Sequence, residues 1–379
     1  MPIAELNPIS IAWPSAHSSS GIAPDCANTQ LNLYLIQVNT DEDMCGWCET
    51  RLTQESNFLP IAEMLGDLII GEDPLNRGIL WDRLLNMVEA EAVPGGSSDF
   101  LHDLYAVLSA IDIALWDLMG RKLGVSVARL LGGVRSSRLD VCISGLCGDS
   151  PRDLANQAQH VVADGFRAIK IKLAGELQED VAMVAAVREV LGNQVVLMAD
   201  ADEAYKCLDS ARKLGVALSK HDVYWLEDPF AAGRWDEYSQ LAASIEPPLA
   251  GGKTLYRVTE LLEPIQQEAL HVVVPDLRVC GGITAAWFIG TLGQLHGVRM
   301  SVHSGQSPLT LLAAANLSAA MPYAERLQLT DWQAALAQAM MSHPPHYEQG
   351  FFIFNDRPGL GSDIRSDFVE TYGRSIANQ

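Results

Sequence analysis

The sequence is short of positive charge. Of its 379 residues, 26 are Lys or Arg against 47 Asp or Glu, a formal net charge of −21. A surface this acidic repels phosphate backbones and anionic lipid, which argues against a nucleic-acid or membrane-surface protein. Long apolar runs are also missing, since nothing approaches the ~18–20 uninterrupted apolar residues of a membrane span. The N-terminus has neither a basic start nor an apolar h-region, so no signal peptide is expected there. Cysteine is sparse and odd in number, seven in all. Cys45 and Cys48 form a CxxC, but no second pair supports a zinc site. Unrelated thiols in a reducing cytoplasm are the expectation. No GxSxG, P-loop or dinucleotide fingerprint occurs. What the chain has is apolar bulk, 48% hydrophobic against 19% charged, which excludes disorder. Its length suggests two domains, although one α/β barrel alone takes ~250 residues.

The first ~130 residues read as strands followed by helices, an α+β unit. LNLYLIQVNT (31–40) alternates as a half-buried strand does. Leu101, Leu104, Leu108, Ile111 and Leu115 fall at helical spacing, and that helix is expected to stop at Gly120. From about residue 139 short apolar runs alternate with amphipathic segments: LDVCIS, RAIKIKL, QVVLMAD, DVYWLED, PLAGGK, LHVVVPD and VRMSVHS. Repeated βα alternation predicts a parallel sheet. Lys172, Asp200, Glu227, Lys253, Asp276 and His303 close successive runs, at separations of 28, 27, 26, 23 and 27 residues. So steady a period favours a closed (β/α) barrel over an open sheet. All its strand ends converge on one face, where barrel chemistry sits. One charged strand end is a solvated residue in most proteins; six in phase point to a site.

Lys170 and Lys172, two apart in a strand, share the interior face. Crowding two ammonium groups is expected to lower both pKa values and to prepare Lys172, nearer the mouth, as a base. Asp200 and Glu227 form a carboxylate pair suited to a hard cation such as Mg²⁺. Asp276 beside His303 would fix the imidazole tautomer and supply a second acid/base group. Two bases facing each other over a metal suit abstraction of the proton α to a carboxylate, through an enediolate.

The chain resembles the enolase superfamily, in its mandelate racemase-like group, nearly end to end. The resemblance is carried by AIDIALWDLMGRKLGVSVARLLGG (110–133), KIK (170–172), LMADADEAY (197–205), WLEDPF (225–230), PDLRVCGGIT (275–284), the stretch from His303 through SPLTLLAAANLSAAMP, and RPGLGSD (357–363). It implies an α/β fold, a modified TIM barrel (β/α)₇β under an N-terminal α+β capping domain. The expected divisions are residues 1–130 for the cap, 131–345 for the barrel, and 346–379 for a tail packing back on the cap. It also implies Mg²⁺, with Lys172 as one base and the His303–Asp276 dyad as the other. Members are racemases or dehydratases of α-hydroxy acids and sugar acids, commonly homo-oligomers (dimers or octamers).

One position departs from the pattern. The third metal ligand is usually a glutamate ending the fifth strand, in a segment like AGGE, where this sequence reads LAGGK. A protonated lysine has no lone pair and cannot ligate Mg²⁺. Three readings stay open: Lys253 pairs with Asp200 and Glu227 in place of the metal; Mg²⁺ binds weakly with help from Asp202, which stands where the family commonly has asparagine; or the site is inactive or repurposed. Glu325 falls where the family often has an acidic residue bonding the substrate, although a surface glutamate fits equally. Substrate choice is expected to lie with capping loops at roughly His17–Asn28 and Glu49–Asn57. The leading expectation is a cytoplasmic dehydratase of a sugar acid, an aldonate or aldarate. A racemase or epimerase with the same residues comes second, and an impaired homologue binding an anionic metabolite is the third possibility.

Overall fold

The computed structural model of the chain describes residues 1–14, 30–92, 97–305, 307–330 and 333–375. The first capping loop expected from sequence, His17–Asn28, lies outside them. The chain opens with three antiparallel strands, β1 (Ile3–Pro14), β2 (Gln30–Thr40) and β3 (Cys45–Thr50), β2 lying between the other two. Three helices follow, α1 (Phe58–Gly66), α2 (Arg77–Glu91) and α3 (Ser98–Leu123), then the short α4 (Val127–Leu130).

The barrel alternates without a break. Its elements are β4 (Arg138–Leu146), α5 (Pro151–Ala163), β5 (Ala168–Lys172), α6 (Leu177–Leu191), β6 (Val196–Asp200), α7 (Leu208–Ser219), β7 (Val223–Glu227) and α8 (Trp235–Ala242). They continue as β8 (Leu249–Gly251), α9 (Leu262–Gln266), β9 (Val272–Val273), α10 (Gly282–Leu295), β10 (Arg299–Met300), α11 (Pro308–Ala320) and β11 (Leu327–Leu329). The strands pair in parallel from β4 to β10. β11 pairs with β4, and a bridge from Met300 to Ala324 closes the ring. This is a (β/α)₇β barrel under an α+β cap.

The tail serves both units. After α12 (Gln333–Met340), the hairpin β12 (Tyr347–Glu348) and β13 (Phe351–Ile353) adds antiparallel to β4 of the barrel. Then α13 (Ser366–Tyr372) leads into β14 (Gly373–Ser375), which pairs with β1 of the cap.

The period of two within the strands sorts the barrel interior into layers. Cys142, Ala168, Met198, Trp225, Ala250 and Val272 form a buried apolar plug. Two residues further along β5, β6 and β7 stand Lys170, Asp200 and Glu227. An apolar floor thus lies beneath an ionic layer, which faces the mouth.

The 26-residue α3 joins the units. It starts at Ser97, whose hydroxyl accepts from the Asp99 amide, and stops at Gly124 in left-handed conformation. It therefore passes through Gly120, where the sequence had suggested a stop. Gly120 has a different role: a Cβ there would lie 2.8 Å from the Gly359 backbone, so it admits the tail loop. Three aspartates buried in the apolar body of α3 each grip a different segment. Asp117 accepts from the Trp47 and Leu360 amides, and Asp112 from the Thr284 amide on α10. Asp103 accepts from the Thr53 and Gln54 amides and the Asn57 side chain. The second capping loop is shorter than its expected span, because Glu49 belongs to β3. Glu49 is 1% exposed and bonds the Leu309 amide (2.6 Å) and the Ser307 hydroxyl at the start of α11, latching cap to barrel.

Asp103→Ala takes the acceptor from four donors of the 51–57 loop, the Thr53 and Gln54 amides, the Thr53 hydroxyl and the Asn57 side chain. A loss of about 1–3 kcal/mol in denaturant unfolding is expected, with earlier proteolytic cleavage in that loop. Unchanged stability and cleavage would show that the loop holds itself.

Candidate functional site

A cavity of about 450 Å³ opens at the C-terminal ends of the barrel strands, beneath the cap. Its walls include Lys172, Asp200, Asp202, Lys253, Asp276 and His303 from the barrel, with Arg51 and His102 from the cap. Lys170 and Glu227 lie just below it, 2% and 0% exposed. Of the residues singled out in the sequence, Glu325 alone is elsewhere. It precedes β11 at the opposite end of the barrel, where Arg299 and the Tyr224 hydroxyl (3.0 Å) hold its carboxylate. The last-strand residue that reaches the site is Gln328, three positions on.

Lys253 is the hub. Its Nζ lies 3.1 Å from both oxygens of Asp200, 3.0 Å from Asp202 and 3.3 Å from Asp228. The backbone is built for this cluster. Asp202 and Asp228 both adopt left-handed φ values, 46° and 41°, a costly conformation found at functional sites. Gly251 is needed because a Cβ there would stand 2.7 Å from Asp228 Oδ1. Burial opposes the charge on Lys253, but Asp200 and Asp228 outweigh it and raise its pKa. Burial likewise pushes Asp200 up, yet Lys170 and Lys253 hold it below the usual carboxylate range. Burial drives Asp228 up to about 8.

Lys170 did not follow the expectation of mutual repulsion. Its Nζ bonds Glu227 Oε1 (2.6 Å) and Gln328 Oε1 (3.0 Å) and lies 3.5 Å from Asp200. Burial works against its charge, but Glu227 and Asp200 prevail, so its pKa is raised. Lys172 turns away to the mouth, 49% exposed, with Nζ 2.8 Å from Asp202. Burial would raise Asp202, but Lys172 and Lys253 bring it to about 2.

His303 differs from the expected dyad in its partners. Its Nε2 lies 3.9 Å from Asp276, beyond hydrogen-bond range, because Arg278 claims that carboxylate through Nε at 2.9 and 3.2 Å. Its Nδ1 lies 3.3 Å from Gln328 Oε1. The amide orientation of Gln328 is set by Lys170, which needs an acceptor, and by Ser301, which receives the amide nitrogen at 3.0 Å. Oε1 can only accept, so Nδ1 carries the proton and Nε2 keeps its lone pair. Burial, reinforced by Arg278, Lys170 and Lys253, lowers the His303 pKa to about 4 despite Asp276. The imidazole is neutral at pH 7.

Asp228, Gln328 and Arg278 were not given roles from sequence. Asp228 follows Glu227 in WLEDPF and could have been suspected as a second acid at one strand end. Gln328 and Arg278 carry no spacing signal, since their parts depend on which residues lie across the barrel.

Comparison with known proteins decides the family. Residues 153–368 match the enolase C-terminal domain-like model, and residues 14–132 match the mandelate racemase/muconate lactonizing enzyme N-terminal domain. The chain belongs to the enolase superfamily. It is 30% identical to the D-galactarolactone cycloisomerase of Agrobacterium fabrum over 350 residues, 89% of this chain and 90% of that one. It is 27% identical to the arabinonate dehydratase of Saccharolobus solfataricus over 355 residues, 91% and 92% of the two chains. Its structure aligns with the 3,6-anhydro-D-galactonate cycloisomerase from Zobellia galactanivorans at TM-score 0.86 and 25% identity, covering 99% and 100% of the chains. No helix among the described residues is long and apolar enough to cross a membrane.

As in a superfamily metal centre, three carboxylates converge: oxygens of Asp200, Glu227 and Asp228 lie within 4.8 Å of one another. A resident Mg²⁺ does not fit this set while Lys253 is charged. The ammonium contacts two of the three carboxylates, offers no lone pair, and at 3 Å would repel a dication by roughly 10 kcal/mol at an effective dielectric of about 20. Glu227 Oε2 remains buried with no hydrogen-bond partner among the described residues. Burial raises the Glu227 pKa, against the pull of Lys170 and Lys253. In calorimetric titration the wild-type protein should bind Mg²⁺ no tighter than about 1 mM, and Lys253→Glu should bind it at least tenfold tighter. Micromolar binding by the wild type would mean that the lysine moves aside.

Proposed function

We propose that this enzyme removes the proton α to the carboxylate of a sugar acid and expels the β-hydroxyl as water, with the Lys253 ammonium in the role a metal usually fills. The observation that carries this reading is the unlike setting of its two acid–base groups, a largely buried imidazole engaged through Nδ1 and an exposed lysine beside Asp202. His303 is neutral with a bare Nε2, and Lys172 is held against Asp202. Elimination needs one base and one acid; a racemase needs the same pair and must also exchange their roles for the reverse direction, which an imidazole this reluctant to hold a proton disfavours.

The substrate carboxylate meets Lys253 Nζ. His303 Nε2 takes the α-proton, and the C–H electron pair moves into an enediolate whose charge faces the ammonium. As the enediolate collapses, the Cβ–O bond breaks and Lys172 Nζ delivers a proton to the departing oxygen. Water and an enol result, and the enol ketonises to a 2-keto-3-deoxy acid. Lys170 holds Glu227 and, through Gln328, orients the imidazole without touching substrate. Asp276 keeps Arg278 in place instead of polarising His303. One ammonium concentrates less charge than a dication, so turnover slower than in metal-dependent relatives is expected. The relatives named as acting on sugar lactones and sugar acids support this substrate class.

A panel of aldonates and aldarates assayed for keto-acid formation tests the proposal. His303→Asn and Lys172→Ala should each lower kcat by about 10²–10⁴. Protonating Nε2 removes the base, so kcat/KM should fall as pH drops through about 4 rather than near the ordinary ~6.5 of histidine. No keto acid from any member of the panel would favour an inactive homologue that binds an anionic metabolite. An acid limb near 6.5 would show that the imidazole is not desolvated as described.

A further inference from the structure

A second cavity, of about 570 Å³, opens at the other end of the barrel. It is built from the first residues of β4, Tyr224 of β7 and the approach to β11, so the apolar plug separates it from Lys253. Three arginines line it: Arg135 ahead of β4, Arg138 at its first residue and Arg326 just before β11.

Each of the three has donors to spare. Arg135 donates through Nε to the Ala320 carbonyl (2.9 Å), and its two terminal nitrogens bond no described residue. Arg138 lays its guanidinium over the Phe351 ring, 4.5 Å from the centroid. That contact uses the face of the group, and the N–H edge bonds no described residue. Arg326 covers the Tyr224 ring at 5.1 Å. Its Nη1 comes no nearer to Glu325 than 3.5 Å, a charge contact too long for a good hydrogen bond.

The acids of the wall, Asp140 and Glu325, do not use up this charge. Glu325 is held by Arg299 and by the Tyr224 hydroxyl (3.0 Å), and Asp140 makes no ion pair among the described residues. With Arg299 counted, four guanidinium groups stand against two carboxylates, in a chain where acids outnumber bases 47 to 26. Gathering like charges costs free energy unless an anion joins them. A carboxylate has two oxygens and is satisfied by one guanidinium fork, whereas a phosphoryl group presents three terminal oxygens and takes several. The volume also suits a small molecule, for which sites run to ~300–1,000 Å³.

We infer that this cavity is a second ligand site, for a small molecule bearing a phosphate or diphosphate group, with Arg135, Arg138 and Arg326 as its donors. It is independent of the chemistry at the mouth.

Calorimetric titration with inorganic pyrophosphate in Mg²⁺-free buffer tests the site, with citrate as a polycarboxylate of similar charge. The wild-type protein should bind pyrophosphate with a Kd at or below about 100 µM, and citrate about tenfold more weakly. Arg135→Gln, Arg138→Gln and Arg326→Gln should each weaken pyrophosphate binding about tenfold. Arg135 and Arg138 are exposed, so their variants report even if Arg326→Gln fails to fold. Lys172→Ala, at the mouth, should bind pyrophosphate as the wild type does. A Kd above about 1 mM, or citrate bound as tightly as pyrophosphate, would overturn the assignment. So would an affinity that survives Arg135→Gln and Arg138→Gln but falls in Lys172→Ala, because the anion would then sit at the mouth.

Discussion

The ion cluster around Lys253 is the constraint on which the site depends. One ammonium stands 3.0–3.3 Å from carboxylate oxygens of Asp200, Asp202 and Asp228. Three carboxylates converging at a barrel mouth repel one another and resist desolvation, so the fold needs a cation there. In this chain the cation is covalently attached. Its position is therefore fixed by strand β8, and its charge is single. Lys172, His303 and Gln328 are arranged around that fixed charge. Lys172 shares Asp202 with Lys253, and the field of Lys253 helps keep His303 neutral. Removing the ammonium would disturb the protonation of its neighbours as well as substrate binding.

The scaffold supplies this cluster through two regularities. Period-two alternation stacks an apolar plug under an ionic layer, so Lys170, Asp200 and Glu227 all lie on the mouth side of the plug. The buried aspartates of α3 then tie the cap loop, α10 and the tail to one helix. Cap residues such as Arg51 and His102 are held over the cavity by that helix. The Glu49 latch to α11 adds a further cap-to-barrel link.

The barrel and its mouth were legible in the sequence because both are periodic. Apolar runs recur with an ionisable residue at each end, and the parallel register converts that phase into proximity, as with Lys172 opposite Asp200 and Asp200 opposite Glu227. The substitution at LAGGK was legible too, since it changes a donor type. Pairings across the barrel were not. Asp276 beside His303 was read as a dyad, but the carboxylate has Arg278 two residues away to satisfy first. Lys170 and Lys172 were read as mutually repelling, yet Glu227 and Gln328 lie on other strands and decide the matter for Lys170. Glu325 was matched to a substrate-bonding acid by resemblance alone, with a surface glutamate fitting equally, and the last strand, only three residues long, Leu327–Leu329, gives little periodicity from which to judge its phase.

Lys253 among Asp200, Asp202 and Asp228 supplies the positive charge that the reacting carboxylate needs. The most direct measurement is exchange of the substrate α-proton with deuterated solvent, followed by NMR on protein stripped with a chelator, before and after Mg²⁺ is added. The account predicts exchange in the stripped protein at a rate that Mg²⁺ leaves unchanged. Exchange that disappears on chelation and returns with Mg²⁺ would contradict it.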